Sequence, residues 1–560
     1  MQPAIRIPLH RSPSRPQIHG RVCIVSASVG DRRCWEEASA APESDSGPSM
    51  SDVYSIILLV VIAAQPRVAI IGSGFAGVAA AVRLRGAGAE VRIYERADRV
   101  GGVWRENHYP GAACDVPSFL YSFSFAPKHD WSRRFAPQEE IQRYIEDTVD
   151  RFGLRSTLRF GETLSAATWN DEAGQWALTF ASGLRETADI LVAATGQMST
   201  PNIPALPGAE GFQRPAFHSA RWDDDVDLDD RDVVVVGTGA SVIQLVPAIA
   251  DRARTVTVVQ RSPGYILTKG DHPYDGPQGR LSSRLRRLRS YLDKELQTPQ
   301  FIRWPALVAP AERRFRRELR LRVPDADLRR QVEPEDRYGC KRILVSNEWY
   351  ETLQRPDVTL VDERVVALAP TAVVTTSGRE IPADVLVYGT GFRTHAFLEG
   401  VEVTGRDGRS LAAAWAAGPE AYLGMGVPGF PNLFLMYGPN TNPAWNSVVV
   451  MLECQATYLA RIARAWRARG PFSMAPTERA HSAFVQDIAR RSARSVWVTG
   501  CANWFTTATG RNTQNWPRLV TAYRWLTRRV AWRDYDVRTR SGRDGAEDRR
   551  RNPGSVPVRT

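Results

Sequence analysis

The chain has 560 residues, of which 43% are hydrophobic and 24% are charged, as expected for a globular protein with room for two or three domains. Its net charge of +12 is concentrated between residues 280 and 330, where Phe315, Leu319 and Val323 recur at helical spacing. This pattern favours an amphipathic helix with a solvated basic face, so we expect no nucleic-acid partner. The six cysteines have neither CxxC nor zinc-ligand spacing, which indicates no metal site and predicts reduced cysteines in the cytoplasm.

The N-terminal 65 residues differ in composition from the rest of the chain. Residues 1–52 are rich in Pro, Ser and Arg and lack periodicity, and the apolar run 53–64 is too short to span a bilayer. A signal peptide is disfavoured because a strand begins directly after this run, without a small-residue cleavage site. We therefore predict a disordered extension at 1–65, a disordered basic tail at 536–560 and no stable membrane insertion.

The first folded unit, residues 66–200, opens on a glycine-rich turn. The apolar run 68–71 leads into Gly72, Gly74 and Gly77, which reads as a strand, a tight turn and a helix. Glycines allow the backbone to approach a pyrophosphate, and a helix N-terminus offers free N–H groups. Eighteen residues after Gly77 the next strand ends at Glu95, a carboxylate suited to a ribose 2′-hydroxyl.

A second unit repeats this arrangement with a different partner residue. Residues 233–236 lead into Gly237 and Gly239, and the strand that follows ends at Gln260 and Arg261. An arginine at this place suits a 2′-phosphate, so the two sites are predicted to hold FAD or NAD first and NADPH second. Val242 stands where the motif has a small residue, and we expect it to displace the helix and weaken NADP(H) binding.

The predicted fold is α/β, with two nested Rossmann-like dinucleotide-binding domains. The boundaries follow from a Pro-rich connector near 201–207 and from two strands that end in Thr-Gly turns at Gly196 and Gly391. The FAD domain is expected at 66–200 and 385–535, and the NADP domain at 201–384 with a helical insertion at 275–335. Helices at 448–469 and 480–494 are expected to complete the first domain.

Two further segments carry a family resemblance. The first segment begins with Gly101 and Gly102, which allow the backbone to approach a ligand closely. It continues with Trp104, Tyr109, Pro110, Gly111 and Asp115. The second, just before the second unit, contains Phe212, His218 and Trp222, with Arg214 where a glycine is expected. Together these segments resemble the two signatures of type I Baeyer–Villiger monooxygenases, and the resemblance covers about residues 66–530.

The resemblance implies roles for individual residues. Arg342 is the implied catalytic residue, with Asp115 tuning its position. The implied FAD contacts are Gly72, Ser73, Gly74, Phe75, Ala76, Gly77, Glu95, Gly102, Val103, Trp104, Asp115 and Tyr121. The implied NADP(H) contacts are Thr238, Gly239, Ala240, Ser241 and Gln244, with Arg261, Ser262 and Lys341 on the 2′-phosphate. Loops at 443–446 and 497–507 are expected to wall an apolar substrate pocket.

The implied reaction inserts one atom of O₂ into a ketone to give an ester or lactone, through a C4a-peroxyflavin. The cofactor carries the difficult chemistry, and the protein supplies a permanent positive charge and excludes water. Three alternatives remain open from the sequence: an N- or S-oxygenating flavin monooxygenase, a disulfide reductase, and a non-catalytic protein that binds flavin or nucleic acid. Trp222 argues against the first, and the absence of CxxC argues against the second.

Overall fold

The computed structural model describes residues 65–539 except 502 and 508. The predictions for residues 1–64 and for the tail beyond 539 lie outside the described residues. Residues 536–539, which the sequence assigned to the disordered tail, instead lie in a strand that pairs with residues 472–475, because alternate strand positions find backbone partners there. Two five-stranded parallel sheets dominate the described part, and each has helices packed on it. Smaller antiparallel sheets and an Arg-rich group of helices surround them.

The described strands, numbered in chain order, are β1 Arg67–Ile71, β2 Glu90–Glu95, β3 Leu158–Phe160, β4 Leu164–Asn170, β5 Gln175–Phe180, β6 Arg185–Ala188, β7 Ile190–Ala193, β8 Ala216–His218, β9 Asp232–Val236, β10 Thr255–Val259, β11 Ile266–Leu267, β12 Leu344–Val345, β13 Val358–Val361, β14 Val365–Ala369, β15 Ala372–Thr375, β16 Glu380–Pro382, β17 Val385–Tyr388, β18 Glu402–Thr404, β19 Leu433–Leu435, β20 Phe472–Pro476 and β21 Tyr535–Thr539.

The described α-helices are α1 Phe75–Arg85, α2 Val103–Glu106, α3 Gln138–Arg151, α4 Val242–Ile249, α5 Arg280–Gln297, α6 Pro299–Ile302, α7 Ala309–Arg322, α8 Ala326–Val332, α9 Trp349–Thr352, α10 Leu411–Ala414, α11 Val448–Arg469, α12 Glu478–Ser492 and α13 Val520–Leu526.

The first parallel sheet has the strand order β19-β7-β1-β2-β3. Its central strand β1 pairs in register with β2 on one side, Val68 opposite Val91, and with β7 on the other, Val68 opposite Ile190. Strands covered on both faces read as continuous apolar runs, which explains the run of buried residues in β7. The ends of β1, β2 and β7 therefore meet at one edge, where ligands bind in open α/β sheets.

The second parallel sheet repeats this plan with the order β13-β10-β9-β17-β8. Here β9 is central, between β10 and β17. After β17 the chain returns to the first unit, where β19 pairs with β7 and β18 pairs with β4. The prediction of an α/β fold with two nested dinucleotide-binding domains is therefore confirmed, while the exact domain boundaries stay a prediction.

Two helices test the sequence patterns. The helix predicted at 448–469 is α11, which packs against α1 under the first sheet. The helix predicted at 480–494 begins two residues earlier, at Glu478, because the Thr477 side chain accepts a hydrogen bond from Ala480 N and caps it. Within 65–539, leaving aside 502 and 508, none of the helices has both the length and the hydropathy needed to cross a bilayer.

Candidate active site

The first glycine turn leaves no room for side chains. Gly72 lies in the left-handed region at φ +103°, and a Cβ on Gly77 would stand 1.9 Å from the Gly72 carbonyl oxygen. Helix α1 starts directly after Gly74, at Phe75, so its free N–H groups face the sheet edge. A side chain at either glycine would displace the backbone that a pyrophosphate must approach, and the turn therefore fits the phosphate role inferred from sequence.

Glu95 ends β2 beside this turn and is buried. Its Oε2 accepts hydrogen bonds from Ser73 N at 2.9 Å and from Ser73 Oγ at 2.7 Å, and its Oε1 accepts one from Ala97 N at 3.1 Å. These bonds fix the carboxylate at the glycine turn. Its remaining lone pairs can accept the hydrogen bond that a ribose hydroxyl donates.

A second glycine pair completes the wall of the first site. Gly102 is at φ +56°, and a Cβ on it would lie 3.0 Å from Gly74 Cα, so the two loops meet backbone to backbone. Helix α2 follows with the partly exposed Val103, and Trp104 Nε1 donates to Tyr121 Oη at 3.1 Å. Burial raises the pKa of Tyr121, so its hydroxyl stays protonated at neutral pH. The structure thus brings Glu95 and Gly102 against the first glycine turn and pairs Trp104 with Tyr121, and the role of these residues toward FAD stays a prediction.

The second glycine turn repeats the first in its backbone contacts. A Cβ on Gly237 would meet the Gly389 carbonyl oxygen at 2.6 Å, and a Cβ on Gly72 would meet the Ala194 carbonyl oxygen at the same 2.6 Å. Gly237 is also left-handed, at φ +113°. The exposed Gly239 and Ala240 and the half-buried Thr238 and Ser241 lie between this turn and α4.

Val242 packs in the core of the second unit, and its effect on the position of the helix and on NADP(H) binding stays a prediction. Its side chain is fully buried. A Cβ on Gly389 would stand only 2.1 Å from Val242 Cγ2, so the valine uses the space that glycine leaves free. In the first unit the matching pair is Gly77 and Ala194. In the first unit the helix carries the smaller residue of the pair and the strand end carries the larger one. In the second unit the helix carries the larger residue, Val242, and the strand end carries the smaller one, Gly389, so α4 still packs on its sheet.

Gln244 joins the two units. Its Oε1 accepts from Tyr109 Oη at 3.0 Å and from Ala113 N at 3.3 Å, and its Nε2 donates to Ala113 O at 3.0 Å. Gly111, at φ +78°, lets this segment approach α4, because a Cβ there would meet the Gln244 carbonyl oxygen at 2.6 Å. The side-chain amide bonds to protein on both of its polar atoms, and its role toward NADP(H) stays a prediction.

Three residues proposed for the 2′-phosphate lie at the end of β10. Lys341 Nζ donates to Ser262 Oγ at 3.0 Å and forms an ion pair with Asp336 at 2.6 Å. Arg261 is exposed beside them, and Thr238 Oγ1 donates to the Ser262 carbonyl oxygen at 3.4 Å. Lys341 and the Ser262 hydroxyl meet here, next to Arg261 in the chain, although Lys341 is 79 residues from Ser262 in sequence. Such a group suits a phosphate dianion.

Arg342 and Asp115 form an ion pair through Nη2 and Oδ2. The Asp115 charge raises the pKa of Arg342 further above its ordinary value. Burial alone would raise the pKa of Asp115, but the charge and hydrogen bond of Arg342 outweigh it and hold that pKa below its ordinary value. Both groups are therefore ionised at neutral pH. Both are also half-buried, so the guanidinium keeps a face open to a ligand.

A small cavity of about 20 Å³ adjoins Arg342. It is lined by Phe301, Gly339, Lys341, Arg342, Ile343, Ala444, Trp445, Trp497 and Phe505. Residues from both loops proposed to wall the pocket are among them, namely 443–446 and 497–507. The volume suffices for about one water molecule.

The structure corrects the expectation that the cysteines are reduced. Cys340, next to Lys341, forms a disulfide with Cys501 across 161 residues of sequence. Spacing rules see only local pairs, so this bond between the segment before β12 and the 497–507 loop was not detectable from sequence. Asn503 adds to the link, because its Nδ2 donates to Cys340 O at 3.3 Å and to Trp497 O at 3.1 Å. The loop is thereby attached to the segment that carries Arg342.

Lys294 was not identified from the sequence. It lies on α5, and its Nζ stands 4.3 Å above the ring of Trp445, a wall of the cavity. Burial lowers the pKa of Lys294. Trp445 Nε1 also donates to Gln297 Oε1 at 2.9 Å. Helix α5 therefore contacts Trp445 through two side chains, Lys294 and Gln297. One lysine in an Arg-rich helix gives no signal in sequence, because only the tertiary fold brings it to the site.

The second signature segment has a structural role in this fold. His218 is buried, its Nδ1 accepts from Ala220 N at 3.0 Å, and its ring meets Phe392 edge-on at 5.5 Å. Burial lowers the pKa of His218 to about 4, so it is neutral at pH 7. Arg214 is exposed and is not among the residues with positive φ, so the linker turn forms without the glycine expected there.

Comparison with known proteins agrees with this geometry. Residues 65–408 match the FMO-like family, described as flavin-binding monooxygenase-like. A Baeyer-Villiger monooxygenase from Streptomyces coelicolor is 40% identical over 480 residues, which is 84% of this chain and 92% of that protein. The crystal structure of OTEMO complexed with FAD and NADP has a TM-score of 0.78 at 25% identity, covering 85% of this chain and 99% of that one. Oxidized steroid monooxygenase bound to NADP has a TM-score of 0.75 at 30% identity, covering 84% and 99%.

The fold and the paired glycine turns define a flavin-dependent monooxygenase with two nucleotide sites. The chain belongs to the flavin-binding monooxygenase-like family and, within it, to the type I Baeyer–Villiger monooxygenases.

Proposed function

We propose that the protein is an FAD- and NADPH-dependent Baeyer–Villiger monooxygenase. Ketone, O₂, NADPH and a proton are converted to an ester or lactone, NADP⁺ and water. The observation that carries this proposal is the Arg342–Asp115 ion pair beside an aromatic cavity. The relatives' names favour this reaction over N- or S-oxygenation and over a non-catalytic flavin protein.

The residues at both turns fit the two cofactors. At Gly72 and Gly77 any Cβ would collide with a backbone carbonyl oxygen, so these positions carry no side chain. A bound pyrophosphate requires such a bare backbone turn. We propose that Glu95 binds the ribose of FAD and that Arg261, Ser262 and Lys341 bind the 2′-phosphate of NADPH. When bound and reduced by NADPH, FAD supplies the activated oxygen.

Arg342 is proposed as the catalytic residue. Attack on the ketone carbonyl places negative charge on its oxygen, and a guanidinium remains protonated at any working pH. A preorganised charge at a developing oxyanion contributes about 3 kcal/mol when water is excluded. Asp115 is a positioning residue, since it touches Arg342 and fixes the direction of its open face.

The cavity walls are proposed to exclude water. Trp445, Trp497 and Phe505 are apolar at this site, and the last two are buried. A dry site strengthens the interaction of Arg342 with the substrate oxygen. The apolar lining favours ketones whose substituents are themselves apolar.

The remaining partners follow from the same observations. We propose the cytoplasm as the location, because the reaction consumes NADPH. We propose that helix α7 has no nucleic-acid partner, because two of its arginines are paired within the protein, Arg314 with Glu318 and Arg316 with Glu333.

A ketone screen tests the proposal. Purified full-length protein loaded with FAD is mixed with NADPH and, in separate reactions, with a panel of cyclic and linear ketones, an amine and a sulfide, and the products are analysed by mass spectrometry. The expected result is a product one oxygen atom heavier than the ketone, formed with NADPH oxidation. If NADPH is oxidised and only amines or sulfides gain oxygen, the chain is an N- or S-oxygenating enzyme instead. Absence of NADPH oxidation by FAD-loaded protein would contradict both.

A further inference from the structure

Helix α5, Arg280–Gln297, exposes its apolar face to solvent. Leu281, Leu285, Leu288, Leu292 and Leu296 are 71%, 57%, 52%, 49% and 81% exposed. Their spacing of four, three, four and four residues places them within about 80° of arc at 100° per residue. We call these five residues the leucine stripe.

A second face of α5, which runs from the side opposite the stripe round to its edge, is polar and binds the protein. Ser283, Arg287, Tyr291 and Glu295 lie on it, and all four are buried or half-buried. Their hydrogen-bond partners are His129 for Ser283, Phe119 O, Ser122 O and Glu453 for Arg287, Thr521 for Tyr291, and Asn446, Val520 N and Thr521 N for Glu295. The helix is thus held by polar contacts, with its leucine stripe directed away from the protein.

This orientation is the reverse of a normal surface helix. Single leucines scattered over a surface are normal and need no partner. Five exposed leucines aligned on one helix face form a contiguous apolar stripe, and such a stripe marks an interaction surface. Just after the helix, Trp304 and Leu307 are also half exposed or more, and Arg303 stacks on the Trp304 ring at 5.2 Å. Leucine, tryptophan and arginine together are the composition of helices that lie in a membrane interface.

Charge decides which partner fits the stripe. Residues 280–322 contain thirteen Arg or Lys and four Asp or Glu. Arg284 and Arg289 flank the stripe and are exposed. A second copy of this chain would bring the same basic surface against itself, whereas an anionic bilayer offers the opposite charge. We propose that the leucine stripe docks peripherally on an anionic membrane surface, with the flanking arginines at the lipid headgroups.

The docking surface adjoins the active site. Gln297, on α5, holds Trp445, and Phe301 on the following helix α6 lines the cavity beside Arg342. Gln297 lies on the far side of α5 from the leucine stripe, so in a docked enzyme the thickness of one helix, about 10 Å, separates this pocket wall from the bilayer. The substrate class that suits this position is an apolar ketone that partitions into membranes, and this second part rests on the proposed function.

Vesicle binding by the full-length, FAD-loaded protein tests the docking. Binding is measured by co-sedimentation with phosphatidylcholine vesicles that contain or lack phosphatidylglycerol. The wild type should bind the anionic vesicles at least about tenfold more tightly than the neutral ones. A variant with Leu285→Gln and Leu292→Gln should lose at least about tenfold in affinity, because two central residues of the apolar face become polar.

A matched control carries Ile203→Gln and Val366→Gln, two exposed apolar residues outside α5, and should bind as the wild type does. Any contribution from residues 53–64 is the same in all three proteins. Unchanged binding by the leucine variant, or no binding by the wild type, would overturn the proposal. A wild-type dimer that the leucine variant converts to monomer, without vesicle binding, would show that a second copy covers the stripe.

Activity separates the docking from the proposed function. A long-chain methyl ketone carried in anionic vesicles and a water-soluble short ketone are compared at constant NADPH. The leucine variant should lose kcat/KM for the vesicle-borne ketone about tenfold, in proportion to its lost binding, and keep the wild-type value for the short one. Equal turnover of both ketones by variant and wild type would overturn delivery from the membrane. Failure of wild type to oxygenate either ketone would count against the proposed function and leave the vesicle-binding result standing.

Discussion

The Val242–Gly389 contact predicts a coupled pair of substitutions. Gly389→Ala places a methyl group 2.1 Å from Val242 Cγ2 and 3.1 Å from the Val236 carbonyl oxygen. Val242 is fully buried and has no free space to move into. Overpacking of this kind costs about 1–3 kcal/mol of unfolding free energy, and it falls at the base of the turn proposed to hold NADPH.

The second substitution should relieve the first. Val242→Ala alone costs about 2 kcal/mol, because buried methyl groups are lost from the core. In the double variant the new methyl group of residue 389 enters the space that the valine methyl groups leave. The strand end then carries an alanine, as Ala194 does in the first unit, and the helix carries a small residue. The double variant should therefore be about as stable as Val242→Ala alone, with a favourable interaction energy of about 1–3 kcal/mol.

Urea unfolding of the FAD-loaded proteins, together with NADP⁺ titration, measures both effects. Gly211→Ala is the matched control, because a Cβ at Gly211 meets nothing within 4 Å. If Gly389→Ala unfolds at the wild-type urea concentration and binds NADP⁺ normally, the packing argument is refuted. If the losses of unfolding free energy in the two single variants simply add in the double variant, residues 242 and 389 do not compete for the same space.

Three further predictions follow from single contacts. Arg261→Ala should lower the preference for NADPH over NADH tens-fold in kcat/KM, because a charged partner of the 2′-phosphate is removed; steady-state kinetics with both nucleotides measures it, and an unchanged ratio would exclude Arg261 from that site. Cys501→Ser should release the loop held at Cys340, so that limited proteolysis cuts within 497–507 faster while FAD stays bound; unchanged cleavage would show that the disulfide does not restrain the loop. The pKa of His218 is lowered by burial to about 4 from 6.5, so the unfolded chain binds more protons between these pH values and the free energy of unfolding falls by roughly 3 kcal/mol as the pH drops from 6.5 to 4. Unfolding measured across this pH range should show a flatter profile for His218→Asn, and identical profiles would contradict the assignment.

The backbone of the site was predictable because it depends on local sequence. Glycines at 72, 77 and 237 are required by carbonyl contacts inside one turn or with the neighbouring strand, and such requirements leave a fixed spacing in sequence. The meeting of Asp115 with Arg342, 227 residues apart, was reached through the family resemblance. Composition and periodicity alone do not place those two residues together.

The features that were missed depend on contacts between distant segments. The disulfide joins Cys340 to Cys501, and the room for Val242 is made by Gly389, 147 residues away in the chain's numbering. Periodicity also does not say which face of a helix is buried. In α7 the apolar positions Phe315 and Leu319 are buried, as the pattern predicts, whereas the leucine stripe of α5 faces outward because its polar face is held by buried hydrogen bonds.

The most direct test of the central claim is stopped-flow kinetics of Arg342→Ala. The variant is loaded with FAD, reduced by NADPH and then mixed with O₂ and a ketone identified in the screen. The account predicts normal FAD content, because the glycine turns are untouched, a slower reduction, and loss of ester formation by at least about a hundredfold, the effect of removing about 3 kcal/mol of oxyanion stabilisation. Arg342→Lys should recover little, since an ammonium on a flexible stem does not reproduce the planar guanidinium held by Asp115. Ester formation by Arg342→Ala at near the wild-type rate would contradict the account.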